Sequence, residues 1–207
     1  MPPSNETDAA AIPSKCVTCE VLRQMPLSCD DCHQLLAHVQ GADFFELFGL
    51  PQKYELDPRE LEEKYITISR NIHPDKYAVA GPEMQAFALR ASAAVNNAYA
   101  VLRDPIHRAE YLLESAGGPS ATLNKQVPPD MLGEIMMLRE GIEEAKAGGD
   151  QQSLDAIRRQ IEVRRSATQT RITELCRDLA GSSDETKTTL RIQLNAIKYL
   201  NNVLAHL

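Results

Sequence analysis

The sequence predicts an all-α protein, on three observations. Apolar residues recur at helical spacing on both sides of a His73-Pro74-Asp75 tripeptide: Leu61, Tyr65, Ile68 and Ile72 before it, Phe87, Ala91, Ala94, Ala98 and Val101 after it. Trp is absent and aromatic residues make up only 5% of the chain, so the core must be aliphatic and alanine-rich, as in helical hairpins and bundles. Glycine-rich breaks at Gly117-Gly118-Pro119-Ser120, Gly148-Gly149-Asp150 and Gly181-Ser182-Ser183 cut the second half into segments of helix length.

With 207 residues the chain holds one or two small domains, and with 43% hydrophobic residues and no long charged block it folds rather than staying disordered. A net charge of −7 without a concentrated basic patch argues against nucleic acid as a partner. No run of apolar residues reaches the length of a membrane span. Residues 1–14 are polar, carry three prolines and are expected to be mobile. They have neither a basic-then-apolar secretory pattern nor the Arg-rich, acid-poor composition of a mitochondrial transit segment, so the expected location is cytoplasmic.

Taken in order, the first informative segment is 15–40. It carries Cys16-x-x-Cys19 and Cys29-x-x-Cys32, separated by nine residues. Each pair offers two thiolates from one tight turn, and the intervening chain lets the pairs converge on a tetrahedral ion. The reading is a structural zinc site, because four thiolates leave no open coordination position. Two disulfides, reduced thiols and an iron–sulfur cluster are the competing readings. A reducing compartment disfavours the first and the clustering disfavours the second, whereas four thiolates also suit iron. His33 and His38 lie nearby and are not needed. The fifth cysteine, Cys176, reads as a buried small hydrophobe.

Asp43-x-x-Glu46 is a capping box opening a short helix through Phe48, whose Phe44, Leu47 and Phe48 should pack on the helices that follow. Asp57-Pro58-Arg59-Glu60 is a second start signal, for a helix running to about Asn71. Pro74 cannot continue that helix and pushes His73 towards extended geometry. A third helix runs from Pro82 or Glu83 to Leu102, with alanines that permit close approach, and stops at Asp104-Pro105. Two amphipathic helices joined by a short loop pack antiparallel, which presents His73 and Asp75 at the open end of a hairpin. A further helix follows from Arg108 to Ala116. By composition alone the tripeptide is a turn. It is also not a catalytic dyad, since no nucleophile, phosphate-binding loop or second carboxylate cluster accompanies it.

Three helical segments close the chain, at about 130–147, 151–180 and 184–206. In the first, Met131, Ile135, Leu138, Ile142 and Ala145 form the core stripe. Leu132 and Met136 fall a quarter-turn or more away, beside Glu140 and Glu143. The last helix has Leu190, Leu194, Ile197, Leu200 and Leu204 for the core, flanked by Ile192, Ala196, Tyr199 and Val203. An apolar stripe rimmed by carboxylates is a candidate docking face, and methionine suits a surface that must adapt. A merely wider core is the competing reading.

Tyr65, Ile68, Ile72, His73-Pro74-Asp75-Lys76 and Val95-Asn96-Asn97-Ala98-Tyr99-Ala100-Val101-Leu102 together resemble a J-domain. The flanks, Asp43-Phe44-Phe45-Glu46-Leu47-Phe48-Gly49-Leu50 on one side and Leu102-Arg103-Asp104-Pro105 with Arg108-Ala109-Glu110-Tyr111-Leu112-Leu113 on the other, narrow the resemblance to the HscB family. These are the J-domain co-chaperones of iron–sulfur cluster assembly. The resemblance covers roughly 43–207. It implies a J-domain at 42–117, a linker at 118–129 and a C-terminal three-helix bundle at 130–207, arranged as an L, with the tetracysteine module added in front. Some eukaryotic relatives carry a similar module; the short bacterial form lacks it.

The resemblance further implies that the chain is no enzyme but an ATPase activator. His73, Pro74, Asp75 and Lys76, with the basic residues Lys64 and Arg70, would engage a DnaK- or HscA-type chaperone: Asp75 contacting an arginine near the interdomain linker, Pro74 fixing the loop and His73 orienting it. Glu60, Glu62 and Glu63 dilute the basic face. Aligned on Leu138-Arg139-Glu140, the positions that bind the IscU-like cluster scaffold fall on Leu132, Met136, Met137, Glu140 and Glu144. Met137 stands where a glutamate is common, and Gly133 where a larger apolar residue is. Two other functions stay open: a J-protein for general clients whose bundle self-associates, and a redox or iron–sulfur carrier built on the cysteines.

Overall fold

The computed structural model describes residues 15, 16, 18–21, 27–29, 31, 32, 35 and 42–207. The reading of residues 1–14 as mobile lies outside them, as do His33 and His38. Among the described residues the fold is all-α, with six α-helices, short 3-10 turns and one isolated antiparallel bridge, Ser28 to Leu35. The chain divides into two compact units, Met1–Arg108 and Ala109–Leu207.

In the first unit the capping box forms as expected. Asp43 Oδ1 accepts from the Phe45 N–H at 2.7 Å, and Glu46 Oε2 accepts from the Asp43 N–H at 3.2 Å. The result is a 3-10 turn, Glu46–Phe48, closed by Gly49 in the left-handed region. Phe45, Leu47, Phe48 and Leu50 are buried, and Phe44 is only half-buried, because the tighter 3-10 pitch turns Phe45 inward in its place. Helix α1, Pro58–Asn71, starts with the Asp57 carboxylate accepting from the Arg59 N–H at 2.9 Å. Leu61, Ile68 and Ile72 are buried. Tyr65, expected among them, is half-buried, with its ring stacked on Tyr99 at 4.0 Å and its hydroxyl donating to Asn96 Oδ1 at 3.0 Å.

Helix α2, Pro82–Arg103, packs on α1. Its buried residues are Ala88, Ala91, Val95, Ala98 and Leu102, so Phe87, Ala94 and Val101 stand half-buried beside the seam rather than in it. The seam is rotated about one residue from the expected stripe, because small alanines at several adjacent positions let either face approach. Helix α3, Pro105–Ser115, starts three residues before the expected Arg108. Asp104 caps it, accepting from the N–H groups of Ile106 at 2.8 Å and His107 at 2.9 Å, and the proline takes the first position. Arg108 is buried, donates to the Leu102 carbonyl at 2.6 Å and lies over the Tyr54 ring.

In the second unit α3 is followed by Gly117, in the left-handed region, with the Gly118 N–H returning to the Leu113 carbonyl at 2.8 Å. Three helices follow: α4, Met131–Gly148; α5, Gln151–Cys176; and α6, Asp184–Ala205. Helix α5 stops four residues short of the expected 180, and Leu179–Gly181 forms a 3-10 turn instead. The core stripe of α4 is as expected: Met131, Ile135, Leu138, Ile142 and Ala145 are all buried. Met131, Ile135, Leu138 and Ile142 join Ile161, Ala196, Leu200 and Val203 in one cluster. Ala196 and Val203, expected beside the core, are in it, and Leu204 and Ile192 are half-buried. Helix α6 packs against both α4 and α5 and so buries a wider arc than one stripe. Cys176 is buried.

Polar side chains of α6 hold the stretch before α4. Arg191, wholly buried, donates to the Pro119 carbonyl and to Glu110 Oε1, both at 2.9 Å, and Lys198 meets the same carboxylate oxygen at 2.6 Å. Asn195 donates to the carbonyls of Asn124 at 2.9 Å and Gln126 at 2.8 Å. Residues 118–129, expected as a linker, are thus hydrogen-bonded along α6.

Candidate functional site

The His-Pro-Asp loop follows directly from its sequence. Helix α1 ends at Asn71, and Pro74 begins a 3-10 turn, Pro74–Tyr77, capped by His73 in extended geometry (φ −59°, ψ 129°). His73 Nδ1 accepts from the Asp75 N–H at 3.3 Å and lies 3.5 Å from Asp75 Oδ2; the His73 carbonyl accepts from the Lys76 N–H at 3.0 Å. A neutral imidazole accepting at Nδ1 carries its proton on Nε2. The Asp75 carboxylate stands 90% exposed, so the loop offers an unburied carboxylate and an exposed imidazole edge on a hydrogen-bonded turn.

The expected basic residues are not one stripe. Lys64 and Arg70, six residues apart on α1, stand about 120° apart around its axis. Lys64 lies 4.0 Å from Glu60, whereas Arg70 and Lys76 are exposed next to the loop, with Lys76 Nζ 3.5 Å from Asn71 Oδ1. The cations nearest the tripeptide are therefore Arg70 and Lys76.

The four N-terminal cysteines converge. The Sγ atoms of Cys16 and Cys32 are 3.6 Å apart, those of Cys19 and Cys29 are 3.5 Å apart, and all four lie within 4.8 Å of one another. An ion bound at about 2.3 Å by four thiolates in a tetrahedron sets its sulfurs about 3.8 Å apart, so the set fits a single ion. The first turn is closed by the Cys16 N–H to the Val21 carbonyl at 2.8 Å and the Glu20 N–H to the Cys16 carbonyl at 2.9 Å. The Thr18 N–H, 3.4 Å from the Cys16 sulfur, leads the effects that lower that thiol to about 6. At Cys19 the Val21 N–H also favours the thiolate, but burial and the neighbouring sulfurs outweigh it and push the thiol up to about 12. A cation at the centre replaces the protons such a cluster must otherwise hold, and binding releases them.

On α4 the expected docking residues are displayed. Leu132, Met136 and Met137 are 56%, 64% and 68% exposed, and Glu140, Glu143 and Glu144 are exposed beside them. At about 100° per residue these six positions span an arc of about 140°. The wider-core reading thus fails for α4, although it holds for Ala196 and Val203 of α6. A Cβ at Gly133 would meet nothing within 4 Å, so this position leaves a gap in the apolar surface.

Sequence reasoning missed two groups of residues. One holds the loop from beneath: the Tyr77 hydroxyl donates to the Asn71 carbonyl at 3.0 Å and the Ser92 hydroxyl to the Ile72 carbonyl at 3.4 Å. The other is Arg191 and Asn195, whose i,i+4 spacing among core positions of α6 was a legible sign of a buried polar stripe.

Residues 127–207 match the family model described as the HSCB C-terminal oligomerisation domain. The chain is 37% identical over 134 residues to a co-chaperone protein HscB homolog of Bordetella avium, covering 64% of this chain and 79% of that one. It is 36% identical over 150 residues to the Bordetella pertussis homolog, covering 72% and 86%. Among solved structures, chaperone HscB from Vibrio cholerae superposes with a TM-score of 0.67 at 28% identity, covering 80% of this chain and 94% of that one. The human co-chaperone protein HscB superposes with a TM-score of 0.73, covering 93% and 95%; at 23% identity it speaks for the fold alone. With a J-type loop on an α-helical hairpin, the matching C-terminal bundle and relatives of this similarity over most of their length, the chain belongs to the HscB family of co-chaperone proteins.

Proposed function

We propose that this chain is the co-chaperone that couples an IscU-like iron–sulfur scaffold to ATP hydrolysis by a DnaK- or HscA-type chaperone. The observation that carries the reading is the pairing, on one chain, of an exposed His73-Pro74-Asp75 turn with an apolar face of α4 rimmed by glutamates. The chain performs no covalent chemistry. Its loop offers the Asp75 carboxylate to an arginine of the ATPase, Pro74 fixes the turn and His73 orients it, while Arg70, Lys76 and Lys64 favour an acidic docking surface. Leu132, Met136 and Met137 bury against the scaffold, with Glu140 and Glu144 selecting a basic rim. Hydrolysis then locks the chaperone on the scaffold and promotes cluster transfer. The domains proposed are 15–40, 42–117 and 130–207, joined at 118–129.

The cysteine set is proposed to hold structural zinc. The compact spacing supports one ion, because a multi-iron cluster spreads its cysteines over several metal atoms. Elemental analysis should return one zinc per chain; a coloured protein with stoichiometric iron and sulfide contradicts the assignment. No helix among the described residues is long and apolar enough to cross a membrane. The proposed setting is the cytoplasm, where thiolates stay available for metal.

The loop's role is tested by His73→Gln. This variant should keep the wild-type circular dichroism spectrum and lose stimulation of the chaperone's ATPase; stimulation at the wild-type level removes the loop from the mechanism. A second reading is favoured by the oligomerisation named in the matching family description: self-association of the bundle through the same α4 face. It predicts a stable dimer by sedimentation that does not dissociate when scaffold is added.

A further inference from the structure

We infer that Tyr77 and Ser92 are positioning residues for the His-Pro-Asp loop, acting through the last two carbonyls before it; this rests on the functional reading above. The last carbonyls of a helix lack partners within the helix, and the chain leaving α1 would be free to swing about them. Both are taken here from outside the helix. The Tyr77 hydroxyl, four residues beyond His73, folds back to the Asn71 carbonyl at 3.0 Å and closes the loop into a ring. The Ser92 hydroxyl, from the facing helix α2, reaches the Ile72 carbonyl at 3.4 Å. Ile72 itself is fully buried, and its N–H bonds to the Ile68 carbonyl, so His73 leaves a fixed point. On the outer side the loop is held by the Asp75 N–H to His73 Nδ1 and the Lys76 N–H to the His73 carbonyl.

The two hydroxyls thus anchor the inner side of a turn whose outer side is to be presented. Tyr77 is buried, and burial raises its pKa, which keeps the phenol protonated and donating through the neutral and mildly alkaline range. The ring contributes packing and the hydroxyl contributes direction, so the two can be separated. Tyr77→Phe keeps the ring and removes the donor. Ser92→Ala removes the second donor, and Ser92→Thr restores it. Tyr77 is buried and Ser92 half-buried beneath the loop, so their expected effect is on how well a docked loop acts, not on how often it docks.

The test has two arms on the 207-residue, metal-loaded chain. In single-turnover ATP hydrolysis with a DnaK-type chaperone, maximal stimulation by Tyr77→Phe should fall several-fold while the half-saturating concentration stays within twofold of wild type. Ser92→Ala should behave likewise, and Ser92→Thr should recover most of the loss. By amide hydrogen exchange, the Asp75 and Lys76 N–H groups should exchange about fivefold faster in Tyr77→Phe, the scale of one lost hydrogen bond. Unchanged exchange at these amides overturns the inference, as does full maximal stimulation by Tyr77→Phe. If the wild-type chain stimulates no chaperone, the functional reading fails, and the exchange arm still decides whether the hydroxyls hold the loop.

Discussion

Arg191 is wholly buried, and its guanidinium contributes two charge-assisted hydrogen bonds, to Glu110 and to the Pro119 carbonyl. Removing one member of a buried ion pair strands the other, which costs more than the pair contributes. Arg191→Leu should therefore lower unfolding stability by about 3 kcal/mol in urea titrations, and adding Glu110→Gln should restore part of the loss. A stability change below about 0.5 kcal/mol would mean that Lys198 alone satisfies Glu110. Such residues are hard to read from sequence, since arginine is usually exposed and only the i,i+4 partner Asn195 betrays the buried polar stripe. Tyr77 and Ser92 were harder still. Ser92 meets its carbonyl only once α2 has packed on α1, and the Tyr77 hydroxyl meets Asn71 only once the turn has folded back, so neither shows as a periodic pattern. His73, Pro74 and Asp75 were legible because a proline after a helical stripe forces the turn whatever surrounds it. The cysteines were legible because their spacing carries the chemistry.

At the scale of the element, α4 read true because its core residues are large and unambiguous at helical period. The α2 seam was misplaced by about one residue, because alanines give little phase information and α1 decides which of them it covers. For α6 one stripe was too few: a helix packed on two others buries a wider arc, which a single-helix periodicity cannot show.

Two predictions belong here. The first concerns the start of α5. The Ser153 hydroxyl, at 2.6 Å, and then the Ser153 N–H, at 3.0 Å, hold the Asp150 carboxylate and depress its pKa below the ordinary 3.8. A depressed carboxyl stabilises the fold fully above its unfolded pKa, and this contribution is lost as pH falls through the folded value. The Ser153 amide resonance should thus titrate with a midpoint below 3.8, and in Asp150→Asn that titration should vanish. A midpoint at the ordinary aspartate value would show that the cap does not hold in solution.

The second concerns α4. Leu132 and Met136 are more than half exposed, so a Leu132→Ala/Met136→Ala variant should unfold within about 1 kcal/mol of wild type. Its affinity for an IscU-like scaffold should nevertheless fall tenfold or more by calorimetry, and stimulation of the ATPase without scaffold should persist. Unchanged affinity would move the docking face elsewhere.

At the scale of the whole molecule, the chain carries three candidate sites. The cysteine module is compact enough for one ion, the hairpin exposes a hydrogen-bonded turn, and the bundle leaves one helix face incompletely covered. The fold class and the convergence of the four cysteines could be read from the chain, because both depend on local spacing. The side chains that hold the loop could not, because their contacts form only once the turn has closed and α2 has packed on α1.

The most direct measurement is single-turnover ATP hydrolysis by a DnaK-type chaperone from the same organism, with this chain present and an IscU-like scaffold either added or withheld. The predicted result is synergy: hydrolysis with both proteins faster than the sum of their separate accelerations, and lost in His73→Gln. Acceleration indifferent to scaffold would contradict the role of the α4 face, and no acceleration under either condition would contradict the co-chaperone mechanism itself.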